Sequence, residues 1–172
     1  AWRMAFDEVN AKGGINGRTI RYITEDNQYQ IPRSIQAANK LINRDNVFLM
    51  VANGGTPMNN ATMPEQLEKP FHHLKFGLSS SYYDQMRSGV KYFVEKKGKK
   101  RVCAMYQDTD FGKDLMSGAW VQLKAMGMST VAETTHKPTD ADFSASVAKL
   151  HDADCDLILL GTIVRDTNQI VG

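Results

Sequence analysis

What is scarce in this sequence narrows its chemistry first. Two cysteines in 172 residues do not make the disulfide framework that holds small, core-poor secreted domains together. Cys103 and Cys155 fall in or beside apolar, strand-like runs, where buried free thiols are the default; they can pair only if the fold makes them neighbours. No apolar run approaches the roughly 20 residues that span a bilayer. A net charge of +2 is too small to argue for nucleic acid or an anionic membrane as partner. The basic cluster Lys96-Lys97-Gly98-Lys99-Lys100-Arg101 reads as cations at a helix C-terminus, where the dipole favours them. There is no GxGxxG after a strand and no GxxxxGK[ST], so nucleotide phosphates have no cradle. Gly13-Gly14-Ile15-Asn16-Gly17 precedes a strand, the wrong order for such a loop. There is no G-x-S-x-G elbow for a nucleophile. His72 and His73 are adjacent, so they diverge on either a strand or a helix, and no Cys, Asp or Glu stands near them at ligand spacing. His136 and His151 are isolated and expected at the surface. Asp108 and Asp110 could imitate a Mg²⁺ or phosphoacceptor site, but Asp110 capping the helix that starts at Phe111 is the simpler reading. No cofactor, metal or catalysis is expected.

What is present is an alternation of helical and strand periods. Trp2, Ala5, Phe6 and Val9 share one face of a helix over 1–12, which Gly13-Gly14 stops and the turn Asn16-Gly17 follows. Residues 19–24 alternate like a strand. Pro32 opens a helix carrying Ile35, Ala38, Leu41 and Ile42, and a strand at 47–51 and a helix from Pro57 to about Glu68 come next. The rhythm falters between Lys69 and Ser81, with at most a short strand over 70–78. It then resumes: a helix at 82–97 burying Met86, Val90 and Phe93, a strand at 102–106, and a helix at 111–126 carrying Phe111, Leu115, Ala119 and Leu123. A strand near 130–135, a helix at 142–151, a strand at 156–160 and a helix from about Asp166 complete it. The pattern predicts an α/β fold of two Rossmann-like lobes, parallel sheets flanked by helices, with one lobe over 1–78, another over 79–172, and a hinge near 76–81. A cleft between lobes is a usual place for a small-molecule site.

The stretch Val51-Ala52-Asn53-Gly54-Gly55-Thr56-Pro57 concentrates that expectation. An apolar strand runs into two glycines, Thr56 takes an N-cap position and Pro57 the first helical one. Backbone N–H groups at such a helix start have no intrahelical partners, and glycine lets a ligand approach them, which suits a carboxylate. A plain strand-to-helix connection capped by Thr56 explains the same residues. Similar layouts recur at Asp108 to Phe111 and at Gly161-Thr162-Ile163-Val164-Arg165. If these ends converge, Asn53, Gly54, Gly55 and Thr56 hold an anion, Phe111 supplies an apolar wall and Arg165 a positive charge. Against this, Phe111 also fits a core position and Arg165 a surface one.

The run Glu8-Val9-Asn10-Ala11-Lys12-Gly13-Gly14-Ile15-Asn16-Gly17-Arg18, followed by Glu25-Asp26-Asn27-Gln28-Tyr29, resembles the N-terminal lobe of type I periplasmic solute-binding proteins of ABC transporters. The branched-chain amino-acid (Leu/Ile/Val) group is the nearer likeness. Tyr106-Gln107-Asp108-Thr109-Asp110-Phe111-Gly112, Thr139-Asp140-Ala141-Asp142-Phe143-Ser144 and Leu160-Gly161-Thr162 agree with it. The resemblance implies a carboxylate held at Gly54-Gly55-Thr56, an aromatic at Phe111 packing on the ligand, and Thr162 and Ile163 lining the cleft. It implies hinge closure on an amino acid or aromatic acid, docking on an ABC-transporter membrane permease, a monomer, a periplasmic location, no cofactor and no catalysis. The family has a strand before the helix that opens this chain, a longer segment around Lys69-Pro70, and a return to the first lobe after Gly172, so the chain is expected to be a piece of such a protein. A ligand-sensing domain of a receptor or transcriptional regulator of the same fold is the alternative. A third reading is an α/β enzyme using Asp108 and Asp110.

Overall fold

The computed structural model describes residues 2–51, 54–66 and 80–172, with the backbone alone over 63–66. The chain divides into two compact units, one within 1–54 and 58–66, the other within 55–57 and 67–172.

In the first unit, α1 (Trp2–Ala11) ends where expected. The Gly14 N–H donates to the Val9 carbonyl at 3.0 Å, and Gly13 and Gly14 hold φ of +96° and +76°, a left-handed exit that glycine adopts without strain. Asn16 and Gly17, both at positive φ, then reverse the chain, and Ile15 and Arg18 exchange backbone hydrogen bonds of 2.8 and 3.0 Å. The expected strand at 19–24 forms no ladder with any of the described residues. In place of a ladder, the Asn10 side chain grips Ile20 at both ends, Nδ2 donating to its carbonyl at 2.8 Å and Oδ1 accepting its N–H at 2.7 Å. The Phe6 ring lies 5.1 Å from Tyr22 and 6.0 Å from Trp2, so the apolar stripe of α1 does find a partner, although none of its residues is fully buried. Asn10→Ala removes two bonds from a half-buried pair and is expected to cost about 2 kcal/mol in urea unfolding, with Asn10→Asp recovering less than half.

α2 (Ile31–Asn39) opens with Pro32 in its first turn and continues as one π-helical turn, Lys40–Arg44. The expected strand at 47–51 is also absent: Phe48 is fully exposed and Leu49 61% exposed. Both strand expectations fail for one reason. A strand is completed by a neighbour's N–H and C=O groups, and none of the described residues lies alongside either segment as a ladder partner. α3 (Thr56–Gln66) follows. The short strand expected over 70–78 and the proposed hinge fall almost wholly outside the described residues.

The second unit contains the parallel sheet. Its elements are α4 (Tyr82–Lys97), β1 (Val102–Gln107), α5 (Asp110–Ala125), β2 (Glu133–His136), α6 (Ser144–Asp152), β3 (Leu157–Gly161) and α7 (Val164–Val171). The strand order is β2-β1-β3, all parallel, with Ala104 opposite Glu133 and Leu159. Alternation along β1 builds two cores. Val102 and Ala104 face Val90 of α4 and Met116, Ala119 and Leu123 of α5. Cys103 and Met105 face Phe143 and Leu150, with Ile170 of α7 packed beside them. α4 is capped by Ser81, whose Oγ accepts the Asp84 N–H at 3.1 Å, and ends at Gly98 in the left-handed region. Phe93, expected in the core, is 39% exposed; Val94 packs there instead, one residue further round the helix.

The amino ends of β1 and β3 are bound together three ways. Asp156 accepts the N–H groups of Lys100 and Arg101, each at 2.9 Å, and the Lys100 bond above all holds its carboxyl below the usual range. The Arg101 guanidinium donates to the carbonyls of Asp154 and Ala153 at 2.7 Å. Cys103 and Cys155 form a disulfide with Cα atoms 5.8 Å apart, so the expectation of free thiols is corrected. The two apolar runs lie side by side in the sheet, which the one-dimensional pattern does not reveal.

Candidate functional site

Because the three strands are parallel, all their carboxyl ends emerge on one edge. β1 leads into α5 on one face of the sheet, while β3 leads into α7 on the other. Adjacent strands whose connections part in this way leave a crevice between them.

On the β1 side the residues beyond the strand end are aromatic. Gly112 permits α5 to start tightly against the strand end: a Cβ there would lie 2.0 Å from the Gln107 carbonyl oxygen. This packing places Phe111, half-buried, with its ring 5.0 Å from that of Tyr82 and nearly perpendicular to it. Tyr82 is 44% exposed. Thr109, not Asp110, takes the N-cap position of α5, and no side chain caps the helix there; the Thr109 hydroxyl instead bonds Gln107 Oε1 at 3.1 Å. Asp108 is paired with Lys113 at 2.9 Å, and that hydrogen bond raises the Lys113 ammonium above its ordinary value. Among the described residues no group of three or more metal-ligating side chains occurs.

On the β3 side, Thr162 and Ile163 are half-buried. The Thr162 and Thr167 hydroxyl oxygens lie 2.6 Å apart, and Thr167 Oγ1 lies 3.0 Å from the Ile163 carbonyl oxygen. A hydroxyl has a single proton. The same carbonyl accepts the Thr167 N–H at 2.9 Å, so either hydroxyl can donate to the other, and Thr162 Oγ1 can turn either a proton or a lone pair outward.

Arg165 does not stand as an open charge. Its Nε and Nη2 contact Asp166 Oδ1 at 2.7 and 2.6 Å, and Nη2 also donates to the carbonyls of Pro138 and Asp140 at 2.9 and 3.1 Å. Asp166, with no exposed side-chain surface, bonds His136 Nε2 through its other oxygen at 3.0 Å. His136, expected at the surface, is therefore buried, and it stacks edgewise on Phe143 at 5.1 Å. His151 is exposed as expected.

The glycine turn leads straight into α3, Gly54 belonging to the first unit and Gly55 to Pro57 to the second. Gly55 has φ of +98°, and α3 begins at Thr56, one residue earlier than expected. Gly54 is exposed, Gly55 and Thr56 half-buried, and Pro57 and Met58 buried. Asn53 lies outside the described residues. Sequence reasoning missed Tyr82, His136 and Asp166. The position of Tyr82 at a helix start beside the serine run was the one available signal; the other two meet only through the fold.

A sequence model described as periplasmic binding protein matches residues 1–71 and 68–171. The chain belongs to the periplasmic binding protein family. It is 23% identical over 193 aligned positions to the leucine-specific-binding protein of Salmonella typhimurium, covering 98% of this chain and 50% of that one. A substrate-binding periplasmic protein from Ralstonia solanacearum has a TM-score of 0.89 at 26% identity, over 98% of this chain and 52% of that one. A fatty acid ABC transporter substrate-binding protein from Thermomonospora curvata gives 0.77 at 26% identity, over 92% and 44%. The chain thus spans about half the length of the curated relatives it matches. The periplasmic binding protein fold is type I, an α/β fold whose parallel sheet is flanked by helices, and the family binds solutes without catalysis.

Proposed function

We propose that this chain is part of an extracytoplasmic substrate-binding protein of an ABC importer, and that its solute is an α-amino acid with an apolar side chain. The observation that carries the choice of solute is the Thr162–Thr167–Ile163 hydroxyl chain. With the Thr162 proton turned toward Thr167, the Thr162 oxygen is left to accept from an ammonium group. The carboxylate falls to the backbone N–H groups and hydroxyl of Gly54, Gly55 and Thr56, where a helix start favours an anion. Tyr82 and Phe111 offer an aromatic wall to the side chain, and Ile163 an aliphatic one. Arg165, expected to supply a positive charge, is paired with Asp166, so it gives no reason to prefer a solute without an amino group. The disulfide supports an oxidising, extracytoplasmic compartment. The leucine-specific relative supports an amino acid, and docking of the closed, monomeric form on a membrane permease follows from the family reading.

The test is a thermal-shift titration of the full chain with leucine, isoleucine, benzoate and 4-methylpentanoate, the last being leucine without its amino group. Leucine or isoleucine should raise Tm at concentrations at least tenfold below 4-methylpentanoate or benzoate. Thr56→Val should weaken every response, and Thr162→Val should abolish the preference for the amino compound. Equal responses to leucine and 4-methylpentanoate would refute the amino-acid reading. Silence from all four would refute the carboxylate site.

A further inference from the structure

Three residues at the carboxyl edge of the sheet, His136, Arg165 and Asp166, are tied by a network in which the His136–Asp166 pair is buried and Arg165 is half-exposed. His136 ends β2, and Asp166 and Arg165 open α7, thirty residues later in the chain. The His136–Asp166 pair has side-chain exposures of 3% and 0%, so solvent does not screen it. One Arg165 nitrogen, Nη2, reaches Asp166 Oδ1 and the carbonyls of Pro138 and Asp140 together. The loop it grips is itself folded, with the Lys137 N–H donating to Asp140 Oδ2 at 2.8 Å. A guanidinium can serve a carboxylate and two carbonyls at once because its donors are fixed in one plane; a lysine ammonium is a point donor.

We infer that Arg165, Asp166 and His136 are positioning residues: a clasp that locks the loop after β2 to the turn after β3, so that Thr162 and Ile163 stand at fixed places before any ligand arrives. The gain is preorganisation, since a site already ordered loses less entropy on binding. The link from clasp to affinity rests on the function proposed above; the link from clasp to loop order does not. His136 turns Nε2 to Asp166, whose carboxylate when ionised can only accept, while its Nδ1 is buried and meets no hydrogen-bonding partner, which makes the ring nitrogen spectrum a direct report on the pair.

The test uses the full chain with Arg165→Met, Arg165→Lys and, as a probe of the site alone, Thr162→Val. Amide exchange of residues 137–142 and 162–164 should accelerate at least tenfold in both Arg165 variants, while residues 103–106 of β1 keep their protection. Thr162→Val should leave exchange at 137–142 unchanged. Asp166→Asn should abolish the single Nε2–H tautomer seen in the imidazole nitrogen spectrum of His136. Leucine affinity should fall at least tenfold in Arg165→Lys despite its retained charge. Unchanged exchange at 137–142, or acceleration limited to the turn after β3, would overturn the clasp. Loosened loops with leucine affinity within twofold of the parent would overturn its positioning role. If the parent binds no leucine, the proposed function fails and the exchange result alone decides the clasp. Should Arg165→Met not fold, Arg165→Lys decides by the same readings.

Discussion

Replacing Cys103 and Cys155 together by alanine is expected to lower the unfolding free energy by about 4 kcal/mol, the chain-entropy cost of opening a loop of this length, the cysteines being 52 residues apart. The bond joins the second residue of the central strand to the segment entering β3, so its loss releases the whole α5–β2–α6 excursion in the unfolded chain. The folded state should change little. Asp156 and Arg101 hold the same two segments by hydrogen bonds, so the variant is expected to keep its register and unfold at lower urea. Leucine affinity should stay within twofold of the parent, because the bond lies at the opposite end of the sheet from Thr162 and Phe111. Urea titrations with and without reductant measure the first effect: reductant should reproduce the double variant in the parent and do nothing to the variant itself. A parent whose midpoint does not move after complete reduction would mean the bond contributes no stability.

Gly112→Val should damage both fold and site. Its Cβ would sit 2.0 Å from a backbone oxygen of the strand just before it, an atom that cannot move aside as a side-chain tip can. The start of α5 must lift from β1, at a cost of about 3 kcal/mol, the upper range for overpacking. Phe111 precedes that residue, so the ring should leave Tyr82 and leucine binding should weaken at least tenfold. Gly89→Ala is the control. It lies within α4 with nothing within 4 Å of the added methyl, and it should raise stability by up to about 1 kcal/mol, the usual gain of alanine over glycine inside a helix. Two glycines in helices thus predict opposite signs, and equal effects in urea unfolding would contradict the packing described at Gly112.

How far the sequence alone could reach follows from the range of each interaction. The Gly13-Gly14 stop and the Asn16-Gly17 reversal are contained within a few residues, and both stand as read. The helices at 82–97 and 110–125 and the apolar strands at 102–107 and 157–161 carry periodicity long enough to be recognised, and their alternation implied a parallel sheet. The segments at 19–24 and 47–51 carry strand-like patterns too, but pairing requires a neighbour that local pattern cannot supply. Phe111, Thr162 and Ile163 could be placed just beyond strand ends because the apolar runs before them are short and contiguous. Arg165 was legible as a charge and not as a spent one, since its partners include a carboxylate and two carbonyls on a loop more than twenty residues away. His136 was hidden for the same reason: nothing local to it distinguishes a solvated imidazole from one bonded to Asp166.

The hydroxyl chain from Thr162 through Thr167 to the Ile163 carbonyl contains no group that titrates in the accessible range. Its two hydroxyls can turn their protons either way, and neither acid nor base adds or removes one. On the proposed reading, a discriminator built this way carries no charge in sour or alkaline surroundings, so any drift in binding preference with external acidity must originate in the solute's own ionisation or elsewhere in the protein.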